Sequence, residues 1–265
     1  MIPNVLSIAG SDPSGGAGIQ ADLKTFAAHR TYGCAVVTAL TVQNTHGVLR
    51  SSLVEPVLVA EQIDAIFADI RIDAVKIGMT GNAAAIQVIA DGLRRHKARN
   101  IVVDPVMVST SGHVLLSLDA LDSLKRDLLP LATVITPNIA EAALLLGNDK
   151  ATDLAALRTA AAALSAFGPR YVYLKGGHLS GDTSPDVVHS RDGLLVLPGR
   201  RIAARNTHGT GCTLSSSIAA RLAHGDEPAA AFAAAKAYVA RAIETADELY
   251  IGTGRGPLNH FHTMW

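Results

Sequence analysis

The sequence predicts a single α/β domain built on a mostly parallel sheet with helices on both faces. Three observations lead there. Strand-like and helix-like segments alternate along the chain, the pattern that covers both faces of a parallel sheet with helices. The 265 residues are 49% hydrophobic and 17% charged, which supports a large core and argues against disorder. No internal repeat or linker of shifted composition interrupts residues 1–265, so one domain is expected.

In chain order, NVLSIAG (4–10) is a buried strand and GIQADLKTFAAHR (18–30) a helix. CAVVTALTVQN (34–44) is β-rich. EQIDAIFADI (61–70) sets Ile63, Ile66, Phe67 and Ile70 at helical spacing. AVKIG (74–78) is a short strand, 82–97 a helix, and NIVVDPV (100–106) a strand. TVITPN (133–138) runs into the helix IAEAALLLG (139–147), ended by Gly147. An alanine-rich helix over 152–167 precedes the strand RYVYLKGG (170–177). DVVHS (186–190) and GLLVLPG (193–199) form a hairpin around RDG. Helices over about 210–224 and 228–248 complete the pattern.

Ligands of such sheets bind beyond the carboxyl ends of the strands. Read in order, those ends carry Gly10-Ser11-Asp12, Gln43-Asn44, Gly78-Met79, Asp104, Thr136-Pro137-Asn138 and Lys175-Gly176-Gly177-His178. Turn residues are ordinary there, but an aspartate, an asparagine, a lysine and a glutamine on one edge point to a polar site for a small molecule.

The charge balance narrows the partners. Lys plus Arg and Asp plus Glu both number 23, so no basic surplus calls for nucleic acid or an anionic membrane. The basic run LRRHKAR (93–99) reads as a solvated helix end. Two cysteines, Cys34 and Cys212, make no disulfide framework and fit a reducing compartment. The N-terminus lacks a basic region and a long apolar run, and the alanine-rich segment 229–243 is broken by Lys236 and Arg241. A soluble, cytoplasmic protein without membrane partners is expected.

Phosphate motifs come next. The P-loop pattern G-x-x-x-x-G-K-[ST] does not occur. Gly16-Ala17-Gly18 with Ala21 loosely fits a dinucleotide fingerprint, but the next strand ends in Gln43-Asn44 rather than the acid that would hold a ribose. NTHGTGC (206–212) is a better candidate, because glycines at a helix start free backbone N–H groups for an anion and the helix dipole adds to them. A capped glycine-rich turn is the plainer alternative. Cys212 falls in the first turn of that helix, where the dipole favours thiolate, and a thiolate could accept an alcohol proton during phosphoryl transfer. It could instead be a small packed hydrophobe, or a covalent nucleophile served by His208. Asn138 with Glu141 makes a helix cap, and Glu141 with Asp104 could hold Mg²⁺ or its waters. Lys175 could meet a phosphate as a point charge or lie at the surface.

IAGSDPSGGAGIQADLKTF (8–26), TALTVQNTHGV (38–48), KIGM (76–79), VVDPVMVSTSG (102–112), TPNIAEA (136–142), KGGH (175–178), SPDVV (184–188), NTHGTGC and the closing GPLNHFH (256–262) together resemble the hydroxymethylpyrimidine/phosphomethylpyrimidine kinases of thiamine biosynthesis. The resemblance runs over nearly the whole chain. It implies a ribokinase-like fold with a sheet of about eight or nine strands, usually in a dimer. It also implies two successive phosphorylations by MgATP, first of 4-amino-5-hydroxymethyl-2-methylpyrimidine and then of its monophosphate. By the same resemblance Gln43 would bind the aminopyrimidine, with Gly10, Asp22, Met79 and Val106 around the ring. Asp22 would otherwise be a surface carboxylate beside Lys24. Gly209, Gly211 and Cys212 would form the anion hole, with Cys212 as base. Lys175, Thr207 and Thr210 would face ATP phosphates, and Asp104, Asn138 and Glu141 would organise Mg²⁺. His113, where the family often carries an acid, and Ser109, where alanine is usual, depart from the pattern in an expected flap (109–116). The rival readings are a pyridoxal kinase or dual-specificity enzyme, a catalytically silent pyrimidine sensor, and a cysteine hydrolase.

Overall fold

The computed structural model describes residues 1–107, 115–117 and 119–264. Ser109 and His113, and with them most of the expected flap, lie outside the described residues.

The strands are β1 (Asn4–Ser11), β2 (Tyr32–Asn44), β3 (Gly47–Leu53), β4 (Ala74–Ile77), β5 (Ile101–Val103), β6 (Val134–Ile135), β7 (Tyr171–Leu174), β8 (Asp186–Ser190) and β9 (Gly193–Leu197). They form one sheet in the order β3-β2-β1-β4-β5-β6-β7-β8-β9. The run from β2 to β7 is parallel, and β3 and the β8–β9 hairpin add antiparallel pairs at the two edges. The chain thus has the expected mostly parallel sheet, with nine strands among the described residues.

The helices are α1 (Gly18–Ala28), α2 (Pro56–Asp69), α3 (Ala83–Arg95), the short α4 (Ala120–Ser123), α5 (Ile139–Leu146), α6 (Leu154–Leu164), α7 (Thr210–Ala223) and α8 (Pro228–Glu244). Successive side chains of a strand point to opposite faces, and this period divides the core in two. Leu6, Ile8, Val75, Ile77, Val103, Ile135 and Val172 pack with α2, α3, α5 and α6 through Ile63, Ile86, Ile139 and Leu157. Their neighbours Val5, Ala74, Val102, Val134 and Tyr173 pack on the other face with Phe26 of α1, Ile218 of α7 and Phe232 of α8. Residues 213–220 of α7 are all buried, which explains their small side chains: the helix lies between α1, α8 and the sheet.

Two elements escape sequence reasoning. β3 is an exposed edge strand with no clear alternation, paired to β2 across the turn at Thr45-His46. The helical segment from Ala120 to Leu131 passes from α through π to 3-10 geometry around Pro130 and so breaks the helical period. No described helix is long and apolar enough to cross a membrane. Part of the basic run at the end of α3 is paired locally, with Arg95 and His96 on Asp64 and Arg94 on Asp91.

Candidate active site

Because the central strands are parallel, their carboxyl ends open on one edge of the sheet. There they enclose a cavity of about 450 Å³, within the range of small-molecule sites. Gly10 of β1, Gln43 of β2, Met79 after β4, Asp104 and Val106 after β5, Asn138 and Glu141 of the α5 start, and Lys175 after β7 all line it. Thr207, Gly209, Thr210, Gly211 and Cys212 line it from the other side.

The turn into α7 is built for close approach. Gly209 caps the helix at φ 81°, where a side chain is strained, and a Cβ there would overlap the Gly16 carbonyl oxygen. Gly211 faces inward: a Cβ would stand 3.3 Å from Lys175 Nζ and 3.4 Å from Asp104 Oδ2. Among the described residues the amides of Thr210, Gly211 and Cys212 donate to nothing, while Thr213 N closes the first helical bond to Gly209 O at 2.9 Å. The stretch 254–260 clasps this turn from behind. His208 N donates to Gly256 O at 3.0 Å, Gly256 N to Asn206 Oδ1 at 3.0 Å, and His260 Nε2 lies 3.1 Å from Thr213 Oγ1.

Opposite the amides, Lys175 Nζ donates to Asp104 Oδ1 at 2.9 Å and lies 3.9 Å from Glu141 Oε2. It is a largely buried side chain, so the surface alternative falls. Burial works against its charge, but Asp104 and Glu141 outweigh it and hold its pKa above the usual lysine value. Burial pushes the Glu141 carboxyl up to about 7, against the pull of Lys175. Glu141 Oε2 also accepts from Asn138 N at 2.7 Å, and Asn138 Oδ1 accepts from Glu141 N at 2.9 Å, a complete capping box. Asn138 lines the cavity and its side chain fixes Glu141, so the cap and the expected support of a metal carboxylate are compatible. Two carboxylates, beside a lysine and an anion-binding turn, suit Mg²⁺, which commonly takes one or two carboxylates and completes its shell with phosphate oxygens and water.

Two expectations are corrected. Asp22 is absent from the cavity lining and does not lie at the surface. It is fully buried and ion-paired to Lys76 Nζ at 2.8 Å through both oxygens, with Ser7 and Ser216 also donating to it. The Cys212 thiol is not tuned toward thiolate in the ligand-free chain. Burial pushes it up to about 11, against the Lys76 ammonium and the Gly18 amide directed at the sulfur.

Sequence reasoning placed Asp12 at a strand end on the ligand edge and weighed His208 only as a base for Cys212, and it missed that the two pair. His208 Nε2 lies 2.8 Å from Asp12 Oδ2 and 3.1 Å from Gln43 Nε2. One ring nitrogen cannot donate to the acid and accept from the amide. Pairing closes if Gln43 turns its oxygen to His208 N–H and its nitrogen to Thr41 Oγ1, whose proton goes to Ser11 O. Asp12 also accepts from the amides of Ser14 and Ala17, fixing the loop before α1. The signal was its place at the first strand end. No described bond joins His208 to Cys212, so the pairing that a cysteine nucleophile needs is not made.

A doubly flanked parallel sheet with a helix-start anion hole, a buried lysine and two acids at its carboxyl edge defines a phosphotransferase of the ribokinase-like fold. The phosphomethylpyrimidine kinase family model matches residues 12–259, and the chain belongs to that family. A hydroxymethylpyrimidine/phosphomethylpyrimidine kinase of Rhizobium meliloti (strain 1021) is 54% identical over 98% of this chain and 97% of its own. The solved phosphomethylpyrimidine kinase of Clostridium difficile 630 superposes with a TM-score of 0.80 at 41% identity, over 91% of this chain and 99% of its own. An ADP complex of Bacillus subtilis pyridoxal kinase superposes with a TM-score of 0.91 at 34% identity, over 99% of both chains.

Proposed function

We propose that the protein transfers the terminal phosphoryl group of MgATP to the hydroxymethyl oxygen of 4-amino-5-hydroxymethyl-2-methylpyrimidine, and a second one to the resulting monophosphate. The observation that carries this reading is the set of undonated amides at Thr210–Cys212 facing Lys175 and Asp104. Such a turn stabilises the charge spread over a phosphoryl group in transfer. Lys175, Thr207, Gly209, Thr210 and Gly211 meet the nucleotide phosphates in this reading, consistent with the ADP bound by the B. subtilis relative. Asp104 and Glu141 would hold Mg²⁺, which neutralises phosphate oxygens when bound.

Gln43, Gly10, Met79 and Val106 surround the pyrimidine, with the Gln43 amide matched to a ring nitrogen and its amino group. Cys212 takes the alcohol proton. In a loose transition state the proton leaves late, when the new bond to phosphorus has acidified the oxygen. The molecule is read as a cytoplasmic homodimer.

A pyridoxal kinase or dual-specificity activity is the second reading, favoured by the closer superposition on the B. subtilis enzyme. Coupled ADP release with a panel of hydroxymethyl heterocycles decides between them. The aminopyrimidine should give the highest kcat/KM. A pyridoxal preference above about tenfold, near 1.4 kcal/mol, would reverse the substrate assignment. Tight pyrimidine binding without ADP release would make the protein a sensor.

A further inference from the structure

The Lys76–Asp22 pair is the largest polar feature that the proposed reaction leaves unused. Lys76 projects from β4 and Asp22 from α1, and both side chains are 0% exposed. Ser7 Oγ of β1 donates to Asp22 Oδ2 at 2.6 Å and Ser216 Oγ of α7 to Oδ1 at 2.7 Å. With two contacts from Lys76 at 2.8 Å, four donor contacts hold the carboxylate on three sides. Gly78 leaves room for the ammonium, since a Cβ there would stand 2.9 Å from Lys76 Nζ. Stability alone does not account for this arrangement, because replacing a buried ion pair by neutral packing is often neutral or stabilising.

Its location gives a reason. Lys76 lines the cavity although it is fully buried, so it forms part of the floor. Ser216 follows Cys212 by four residues on α7, which places both on one face of the helix, one turn apart. Asp22 therefore anchors α7 directly beyond Cys212. Four charged groups act on the sulfur: Lys76 from β4 and Lys175 from the end of β7 favour its thiolate, whereas Asp22 from α1 and Asp104 from the end of β5 oppose it, Lys76 outweighing its partner Asp22. Lys175 and Asp104 also face the phosphates, so their influence changes when nucleotide and metal arrive. Lys76 is sealed in.

We infer that Lys76, fixed by Asp22, is a positioning residue acting through Cys212: it keeps a permanent positive charge beside the sulfur that takes the substrate proton. The inference rests on the reading of Cys212 as proton acceptor, and its test is separable from that reading.

The test is the pH dependence of Cys212 alkylation by iodoacetamide, without nucleotide or metal, in a Cys34→Ala background. The Lys76→Met/Asp22→Asn double variant removes both charges while leaving an amide for Ser7 and Ser216. Its alkylation midpoint should rise by about half a pH unit, because the opposing Asp22 charge is lost together with Lys76, so that alkylation near pH 9 slows about threefold. Its kcat should fall, with pyrimidine affinity within about twofold of the parent. Lys76→Arg, which retains a cation, should keep the parent midpoint to within about 0.3 unit. An unmoved midpoint in the double variant, with an unchanged thermal melt, overturns the inference. So does a rise of about half a unit in Lys76→Arg. A fully active Cys212→Ala enzyme would instead remove the base role and leave any midpoint shift standing.

Discussion

At Cys212 two physical effects compete, and their balance is measurable. The helix start favours thiolate, but burial wins in the ligand-free chain and pushes the thiol up to about 11. If Cys212 is the base, kcat/KM for the pyrimidine, which reports groups of the enzyme before the pyrimidine binds, should climb with pH from about pH 6 to 9 without a plateau, since the deprotonated fraction grows below the raised pKa. A profile flat above neutrality would put the proton elsewhere. Cys212→Ala should lower kcat by about 10²-fold or more while leaving the pyrimidine dissociation constant within about threefold. Gln43 belongs to the same scale. It contacts His208 and Thr41, so Gln43→Ala removes the proposed pyrimidine contact and loosens one wall. The pyrimidine KM should rise by about tenfold or more and the ATP KM by less than about twofold. Equal rises would make Gln43 structural.

Among the elements, the turn into α7 depends on two glycines for different reasons. Gly209 needs positive φ and contact with Gly16, whereas Gly211 lets the backbone pass close to Lys175 and Asp104, which a Cβ would crowd at 3.3 and 3.4 Å. Gly209→Ala should therefore cost stability as well as kcat/KM, through a backbone that must shift. Gly211→Ala should move the thermal melt less than Gly209→Ala, because its added methyl displaces only the side-chain ends of Lys175 and Asp104 and no backbone, yet that displacement should cut kcat/KM by about tenfold or more. Both halves are read by thermal denaturation and steady-state kinetics of the same preparations. This turn was legible in the sequence because glycine spacing and a following small-residue helix carry their own geometry. So were the strand ends, since parallel topology alone brings Gln43, Asp104 and Lys175 to one edge. Asp22 was misread because burial is a tertiary property: nothing local distinguishes a helix-surface carboxylate from one that meets a lysine 54 residues away. The edge strand β3 was lost because its pairing, not its own pattern, makes it a strand.

For the whole molecule, two buried histidines tie stability to pH. His29 packs against Tyr238 with ring centroids 4.5 Å apart and planes tilted by 55°, and bonds Ser217, while His260 bonds Thr213. Burial lowers each from 6.5 to about 4, so the folded chain keeps them neutral while the unfolded chain protonates them. Stability is then full above about pH 6.5 and is lost as pH falls toward 4, by about 1–2 kcal/mol per histidine at pH 5. Thermal melts at pH 7.5 and 5 measure this loss, and His260→Gln should shrink it. Leu40, Val42 and Leu49, exposed at 58%, 47% and 75%, offer an apolar surface on the β2–β3 hairpin for the proposed dimer. Val42→Glu should shift sedimentation toward monomer. An unchanged dimer would place the interface elsewhere. The clasp of 254–260 on the phosphate turn has a last consequence, for biosynthesis. The anion hole, begun at residue 208, cannot be braced until the ribosome has made and released residue 260, so a nascent chain carries every catalytic group before it can hold them in place.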